Sequence, residues 1–161
     1  MPLNPDFRDI LLAFENEQVE FLIVGAYALS AHGINRYTGD IDLWVHPTSE
    51  NAARVWQALI RFKAPMSKIT PEDFRNPDNV YQMGLPPCRI DVLTSISGVD
   101  FESAFANRQI LPIDDLRMPF LSLDDMLVNK RESGRDKDLV DVRLIERKLG
   151  KNENEPLQSD D

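Results

Sequence analysis

Two aspartates one residue apart interrupt an apolar segment that has the pattern of a buried strand. Asp40 and Asp42 flank Ile41, and the next residues, 43–45, are apolar. In a strand, residues i and i+2 project from the same face, so both carboxylates would point into one small space. Two negative charges held that close repel, and a divalent cation between them would relieve the repulsion. The alternative is a pair of solvated acids at a loop-to-strand junction, with Arg36 as their partner.

The ligand types narrow the choice of metal. Carboxylate oxygens on a rigid element suit Mg²⁺ or Mn²⁺, whereas zinc sites are built from histidine and cysteine. The chain has only His32, His46 and Cys88 of those types, and their positions show none of the paired spacings of a zinc site. The pattern therefore favours a magnesium or manganese site.

Several short motifs in a fixed order carry a family resemblance. They are Val24-Gly25-Ala26, His32-Gly33, Arg36, Thr38, Asp40 and Asp42, then Asp91 within 89–93, and finally the segments 121–130 and 135–141. This set resembles the polymerase β-like nucleotidyltransferases, especially the minimal bacterial AbiEii/MenA-type branch. The resemblance implies an α/β (α+β) fold in which a small mixed β-sheet is flanked by helices and a C-terminal helix pair closes the site.

The resemblance also implies a catalytic set of three acids. Asp40, Asp42 and Asp91 would bind Mg²⁺ or Mn²⁺, and Asp91 would also accept the proton of the acceptor hydroxyl. The alternative is that Asp91 lies on an edge strand and faces solvent, because Arg89 and Asp91 alternate with apolar residues. The geometric expectation is that Asp91 shares a sheet face with the other two acids.

Further residues are implied to bind the nucleoside triphosphate. The implied set is Gly25, Ala26, Arg36, Thr38, Lys130 and Asp138, with Asp141 as a weaker candidate. Where this family usually has Gly-Gly or Gly-Ser after the first strand, the chain has Gly25-Ala26, which keeps the backbone N–H but loses a hydroxyl. Two interpretations of Arg36 and Thr38 stand side by side, since the pair would either order the loop before Asp40 or contact the triphosphate. In one interpretation Lys130 binds phosphate and Asp138 orients it. In the other, both residues lie on solvated helix faces.

Hydrophobic periodicity and capping residues predict the remaining elements. Helices are predicted over 4–14, 26–31, 48–62, 100–106, 122–132 and 135–149, with a short one beginning at 70–73. Strands are predicted over 21–24, 40–46, 80–83, 88–93 and 109–113, with a short extended piece at 118–121. Gly150 is predicted to end the last helix, so that 1–150 form one domain and 151–161 an acidic, disordered tail.

Composition limits the function classes. The net charge of −9, about −6 without the tail, disfavours an extended nucleic-acid groove. No signal peptide or membrane span is apparent, and a single cysteine fits a cytoplasmic protein. The expected function is transfer of a nucleoside monophosphate to a hydroxyl of tRNA, a protein side chain or a small molecule, as in a toxin–antitoxin or phage-defence pair with a cognate antitoxin. The alternatives are a nucleotide-binding or partner-binding module without catalysis, and a structural protein with acidic surface charge.

Overall fold

A six-stranded mixed sheet forms the centre of the chain in a computed structural model, which describes residues 3–37 and 39–158, with side chains up to residue 150. The spatial order of its strands is β3-β4-β2-β1-β6-β5. The strands are β1 (Phe21–Val24), β2 (Asp40–Val45), β3 (Val80–Met83), β4 (Arg89–Leu93), β5 (Gln109–Ile113) and β6 (Leu116–Phe120). The α/β class and the mixed sheet predicted from the sequence are confirmed.

Six α-helices accompany the sheet within the described residues. They are α1 (Pro5–Asn16), α2 (Gly25–Ala31), α3 (Ser49–Phe62), α4 (Phe101–Ala106), α5 (Leu123–Ser133) and α6 (Asp136–Gln158). Capping side chains begin four of them, since a first-turn backbone N–H donates to the side chain of each N-cap residue: Asn4, Thr48, Asp100 and Ser122. The short helix predicted after Thr70 is a 3-10 helix, Pro71–Phe74.

Two predicted boundaries are wrong. The last helix continues through Gly150 to Gln158, since one glycine inside a helix costs only about 1 kcal/mol and does not by itself end it. The short extended piece predicted at 118–121 is present as part of β6, but this strand spans Leu116–Phe120 and pairs antiparallel with β5 and parallel with β1. The division into a domain, 1–150, and a tail, 151–161, stays a prediction.

The two faces of the sheet differ in character. Phe21 of β1 pairs with Val45 of β2, and the ring of Phe14 in α1 lies 5.1 Å from that of Phe21. Helices α1 and α3 pack against each other and cover this apolar face. Asp40, Asp42 and Trp44 project from the opposite face, where Trp44 is buried against Phe101 of α4. The acids therefore lie on the side away from the α1–α3 layer.

None of the helices in the described part of the chain is both long and apolar enough to cross a membrane.

Candidate active site

The three predicted acids lie on one face of two neighbouring parallel strands. Asp42 of β2 is directly opposite Asp91 of β4 in the parallel register, and Asp40 is opposite Arg89. Paired residues of adjacent strands project from the same face of a sheet, and the strands are about 4.8 Å apart. The prediction that Asp91 shares a face with Asp40 and Asp42 is confirmed as geometry.

Crowding of these carboxylates changes the proton affinity of Asp42. Burial, the negative charge of Asp91 and a hydrogen bond with it raise the pKa of Asp42 to about 7, with a smaller contribution from Asp40. Arg89 acts in the opposite direction. Asp91 itself is 6% exposed, so Asp42 and Asp91 form a largely buried carboxyl pair.

Arg89 is the cation within this cluster, and the sequence reasoning did not identify it as a site residue. Its Nε donates to Oδ1 of Asp91 over 3.0 Å, and one Nη donates to Oδ2 of Asp91 over 3.2 Å. The same Nη lies 3.0 Å from Oδ2 of Asp40. The signal was its position two residues before Asp91, which places both side chains on one sheet face.

Gly25 gives the Asp42 carboxylate the room it occupies. The glycine follows β1 directly, begins α2 and has a φ of +72°, which favours glycine. A Cβ at this position would lie 2.2 Å from Oδ2 of Asp42. The Val24-Gly25 step therefore has a steric role at the acids, besides the phosphate-binding role that the resemblance implies for it.

A cleft of about 700 Å³ opens over Asp40 and Asp42, while the buried Asp91 is not among the residues that line it. Asp40, Asp42 and Arg89 line its floor, and residues of α5, of the α5–α6 turn and of the start of α6 line its far wall. The described lining residues also include Val24, Gly25, Leu93, Ser95, Ile96, Ser97, Asn129, Glu132, Ser133, Arg135 and Lys137. The C-terminal helix pair thus lies where a pair that closes the site was predicted to lie.

Lys130 and Asp138 are brought together in an ion-pair network. Nζ of Lys130 lies 3.3 Å from Oδ1 of Asp138 and 3.1 Å from Oδ2 of Asp141. Asp138, with no exposed surface, also accepts from Ser133 and from Nε of Arg135 (2.9 Å). Burial alone would raise the pKa of Asp138, but these hydrogen bonds and the charge of Lys130 hold it well below its usual range.

Arg36 joins this network through an ion pair with Asp141. Ala26, Arg36 and Asp141 line a neighbouring cavity of about 430 Å³, and Lys137 lines both this cavity and the cleft. Thr38 lies outside the described residues. The nucleotide-binding roles of all these residues stay predictions.

His32 and His46 have contacts within the fold. His32 is the C-terminal cap residue of α2, and its Nε2 lies 2.8 Å from the carbonyl oxygen of Leu121. Nδ1 of His46 lies 2.9 Å from Oε1 of Glu20.

The donor chemistry of the cluster fits a hard divalent cation. Within the residues that the structure describes, three carboxyl groups share one sheet face with the guanidinium of Arg89, so the acids outnumber the cation on this face. Oxygen ligands of this kind suit Mg²⁺ or Mn²⁺. Among the described residues, no three or more histidine, cysteine, aspartate or glutamate side chains are already arranged to hold a metal ion. The guanidinium of Arg89 instead lies within 3.0 Å of both Asp40 and Asp91.

The sequence matches a known protein family. The family described as nucleotidyltransferase of unknown function, DUF6036, matches residues 6–149. The chain belongs to this family. The nucleotidyltransferase resemblance is thereby confirmed at the family level, while the AbiEii/MenA-type branch stays a prediction.

The fold of this DUF6036 protein also matches a solved structure. A crystal structure of TM1012 from Thermotoga maritima, described as a "putative nucleotidyltransferase", is similar with a TM-score of 0.56 and 17% sequence identity. The match covers 92% of this chain and 91% of that one, so it supports the fold over almost the whole chain. A comparison with curated proteins gives no match.

Proposed function

We propose that this DUF6036 protein is a nucleotidyltransferase that depends on a divalent cation and moves a nucleoside monophosphate from a nucleoside triphosphate to an acceptor hydroxyl. The observation that carries the proposal is the in-register pair of Asp42 and Asp91, with Asp40 on the same face, beside a cleft of about 700 Å³. Three carboxyl groups crowded on one sheet face, with Asp91 buried, are costly to keep ionised, which is why we propose a function for them.

Asp40, Asp42 and Asp91 would hold Mg²⁺ or Mn²⁺. When bound, such a cation neutralises phosphate charge and lowers the pKa of an attacking hydroxyl. In the transfer, the acceptor oxygen bonds to the α-phosphorus, the bond from that phosphorus to the bridging oxygen breaks, and pyrophosphate leaves. The hydroxyl proton passes to a carboxylate of the cluster, for which we propose Asp91.

The far wall of the cleft offers groups for the phosphates. Arg135 and Lys137 are exposed cations on that wall, opposite the acids. Cations so placed bind phosphate oxygens, and the planar guanidinium of Arg135 suits two oxygens at once. Ser95, Ser97 and Asn129 line the same space and supply neutral hydrogen-bonding groups.

The acceptor is proposed as a hydroxyl of a protein side chain or a small molecule before that of tRNA. A net charge of −9 opposes the approach of a polynucleotide backbone. A role as the toxin of a toxin–antitoxin or phage-defence pair follows from the resemblance alone, and co-expression with the product of the adjacent gene would test it. The alternative of a nucleotide-binding module without catalysis is supported by Ala26, which lacks the hydroxyl usual at that position.

The test compares Asp42→Asn with Asp9→Asn, a matched change on the exposed face of α1. Binding of each nucleoside triphosphate is measured by calorimetry with Mg²⁺ and with EDTA. Label transfer from α-radiolabelled triphosphates to total tRNA, to protein and to small hydroxyl compounds is measured in parallel. We expect Asp42→Asn to lose cation-dependent binding and transfer while Asp9→Asn keeps both. Unchanged binding by folded Asp42→Asn would eliminate the cation site.

Nucleotide binding without transfer to any acceptor would favour the module over the enzyme. Such binding would have to depend on Mg²⁺ and on Asp42, because binding elsewhere on the surface would be indifferent to both.

A further inference from the structure

Arg89 occupies the space between two of the three proposed cation ligands. It donates to both carboxylate oxygens of Asp91, over 3.0 and 3.2 Å, and lies 3.0 Å from Oδ2 of Asp40. A planar guanidinium that binds one carboxylate through two nitrogens and reaches a second is held strongly in place. The carboxylate oxygens that a divalent cation would take as ligands are therefore engaged by the protein itself.

The position of Arg89 at the edge of the cleft would let its side chain move away from the acids. Its side chain is 30% exposed and lines the cleft, whereas Asp91 is buried. A rotation of the arginine about its side-chain bonds would move the guanidinium into the cleft without moving β4. The fixed carboxylates would then be left as ligands on the sheet face.

A guanidinium and a divalent cation compete for these oxygens. Both carry positive charge, and a cation held by Asp40 and Asp91 would lie within a few Å of the guanidinium, where like charges repel strongly in a partly buried site. Occupation by one therefore lowers the affinity of the site for the other.

We propose that Arg89 is an internal competitor of the divalent cation: it neutralises Asp40 and Asp91 when no cation is present and leaves them when one binds. The inference rests on the proposed function, since it presupposes that these acids bind a cation. Its consequence is that the cation affinity of the protein is lower than the three carboxylates alone would give, and that the cation-free protein is more stable than an unpaired acid cluster would allow.

The test measures Mn²⁺ alone, without nucleotide. Binding is followed by the loss of the electron paramagnetic resonance signal of free Mn²⁺, and thermal unfolding is recorded in EDTA and in Mn²⁺. The variants are Arg89→Gln, which removes the charge, and Arg89→Lys, which keeps the charge but not the planar fork. Arg54→Gln is the matched control, because Arg54 pairs with Glu50 on the surface of α3 (2.9 Å) and its loss changes the net charge equally.

We expect Arg89→Gln to bind Mn²⁺ at least about tenfold more tightly than the wild type, the order of effect of one charged hydrogen-bond group. Arg89→Lys should show a smaller gain and Arg54→Gln none. In EDTA the melting temperature of Arg89→Gln should be below that of the wild type, and Mn²⁺ should raise it by a larger increment. An arginine with only a structural role would lower stability without raising the affinity for Mn²⁺.

Equal or weaker Mn²⁺ binding by folded Arg89→Gln, with wild-type binding that depends on Asp42, would overturn the role of Arg89 and leave the cation site standing. No binding by either protein would overturn the cation site itself. If Arg89→Gln does not fold without Mn²⁺, Arg89→Lys decides, and an affinity no higher than that of the wild type overturns the inference.

Discussion

Replacing Gly25 by alanine should separate the stability of this fold from the placement of its acids. The residue has a φ of +72°, and a Cβ there would lie 2.2 Å from Oδ2 of Asp42. Two costs follow, one from the backbone and one from the contact. They are expected to appear in different measurements.

The backbone cost is a loss of stability. An alanine in the left-handed region costs about 1–2 kcal/mol. The contact adds little to that, because the opposing atom is the end of a side chain and the carboxylate can rotate away. Rotation moves the Asp42 carboxylate away from its position beside Asp91. The main effect of this displacement is expected on the affinity for the cation, because one of the proposed ligands is misplaced. Shifts of this kind lower metal affinity by about 10–100-fold.

Gly33 supplies the control, because it follows the same helix that Gly25 begins. Its φ is +89°, and the nearest atom to an added Cβ is Nζ of Lys148 at 3.0 Å, the tip of a long flexible side chain. Urea unfolding should give both variants a similar loss of about 1–2 kcal/mol. Only Gly25→Ala should lose Mn²⁺ affinity. A folded Gly25→Ala protein that binds Mn²⁺ as tightly as Gly33→Ala would refute the reasoning.

Two further predictions concern stability. Asp138→Asn should lower the free energy of unfolding by about 1.5–3 kcal/mol, because the buried carboxylate that pairs with Lys130 and Arg135 loses its charge, while Lys130 keeps Asp141 as a partner. The folded-state pKa of Asp138 is depressed, so its contribution to the free energy of unfolding is present above about pH 4 and is lost as the pH falls below that value. The stability of Asp138→Asn in urea should therefore change less with acid pH than that of the wild type. An equal change in both proteins would contradict this. Asn51→Ala should cost about 1–3 kcal/mol, because this buried amide accepts from the backbone N–H of Glu20 and donates to the carbonyls of Glu20 and His46. A urea midpoint equal to that of the wild type would show that water replaces the amide.

Local pattern was sufficient to predict most of the elements. The apolar run at 21–24 and the caps at Asn4, Thr48 and Ser122 depend on neighbours in sequence, and the strands and helices they predicted are present. The shared face of Asp40 and Asp42 follows from the period of a strand. The end of α6 was mispredicted because a single glycine is by itself a weak signal for the end of a helix.

Contacts between distant segments were not predictable in the same way. The register that sets Asp42 opposite Asp91 depends on the order β3-β4-β2-β1, which no local pattern encodes. Arg89 was passed over because alternation explained it as one member of a strand face, and only the pairing of β4 with β2 brings it to Asp40. The family resemblance implied that Lys130 pairs with Asp138, but its second contact, with Asp141, depends on how α5 packs on α6.

Charge balance distinguishes the two polar clusters of this chain. In the network between α5, α6 and the loop before β2, Arg36, Lys130 and Arg135 face two acids, Asp138 and Asp141, so every carboxylate has a cation within the protein. On the sheet face of β2 and β4, Arg89 pairs with Asp40 and Asp91, and Asp42 is crowded against Asp91. The first network thus neutralises its acids within the protein and holds the helices together. In the second cluster the carboxyl groups crowd one another, which raises the pKa of Asp42 and would be relieved by a cation from solution. This difference is the physical reason why we propose a catalytic role for Asp40, Asp42 and Asp91.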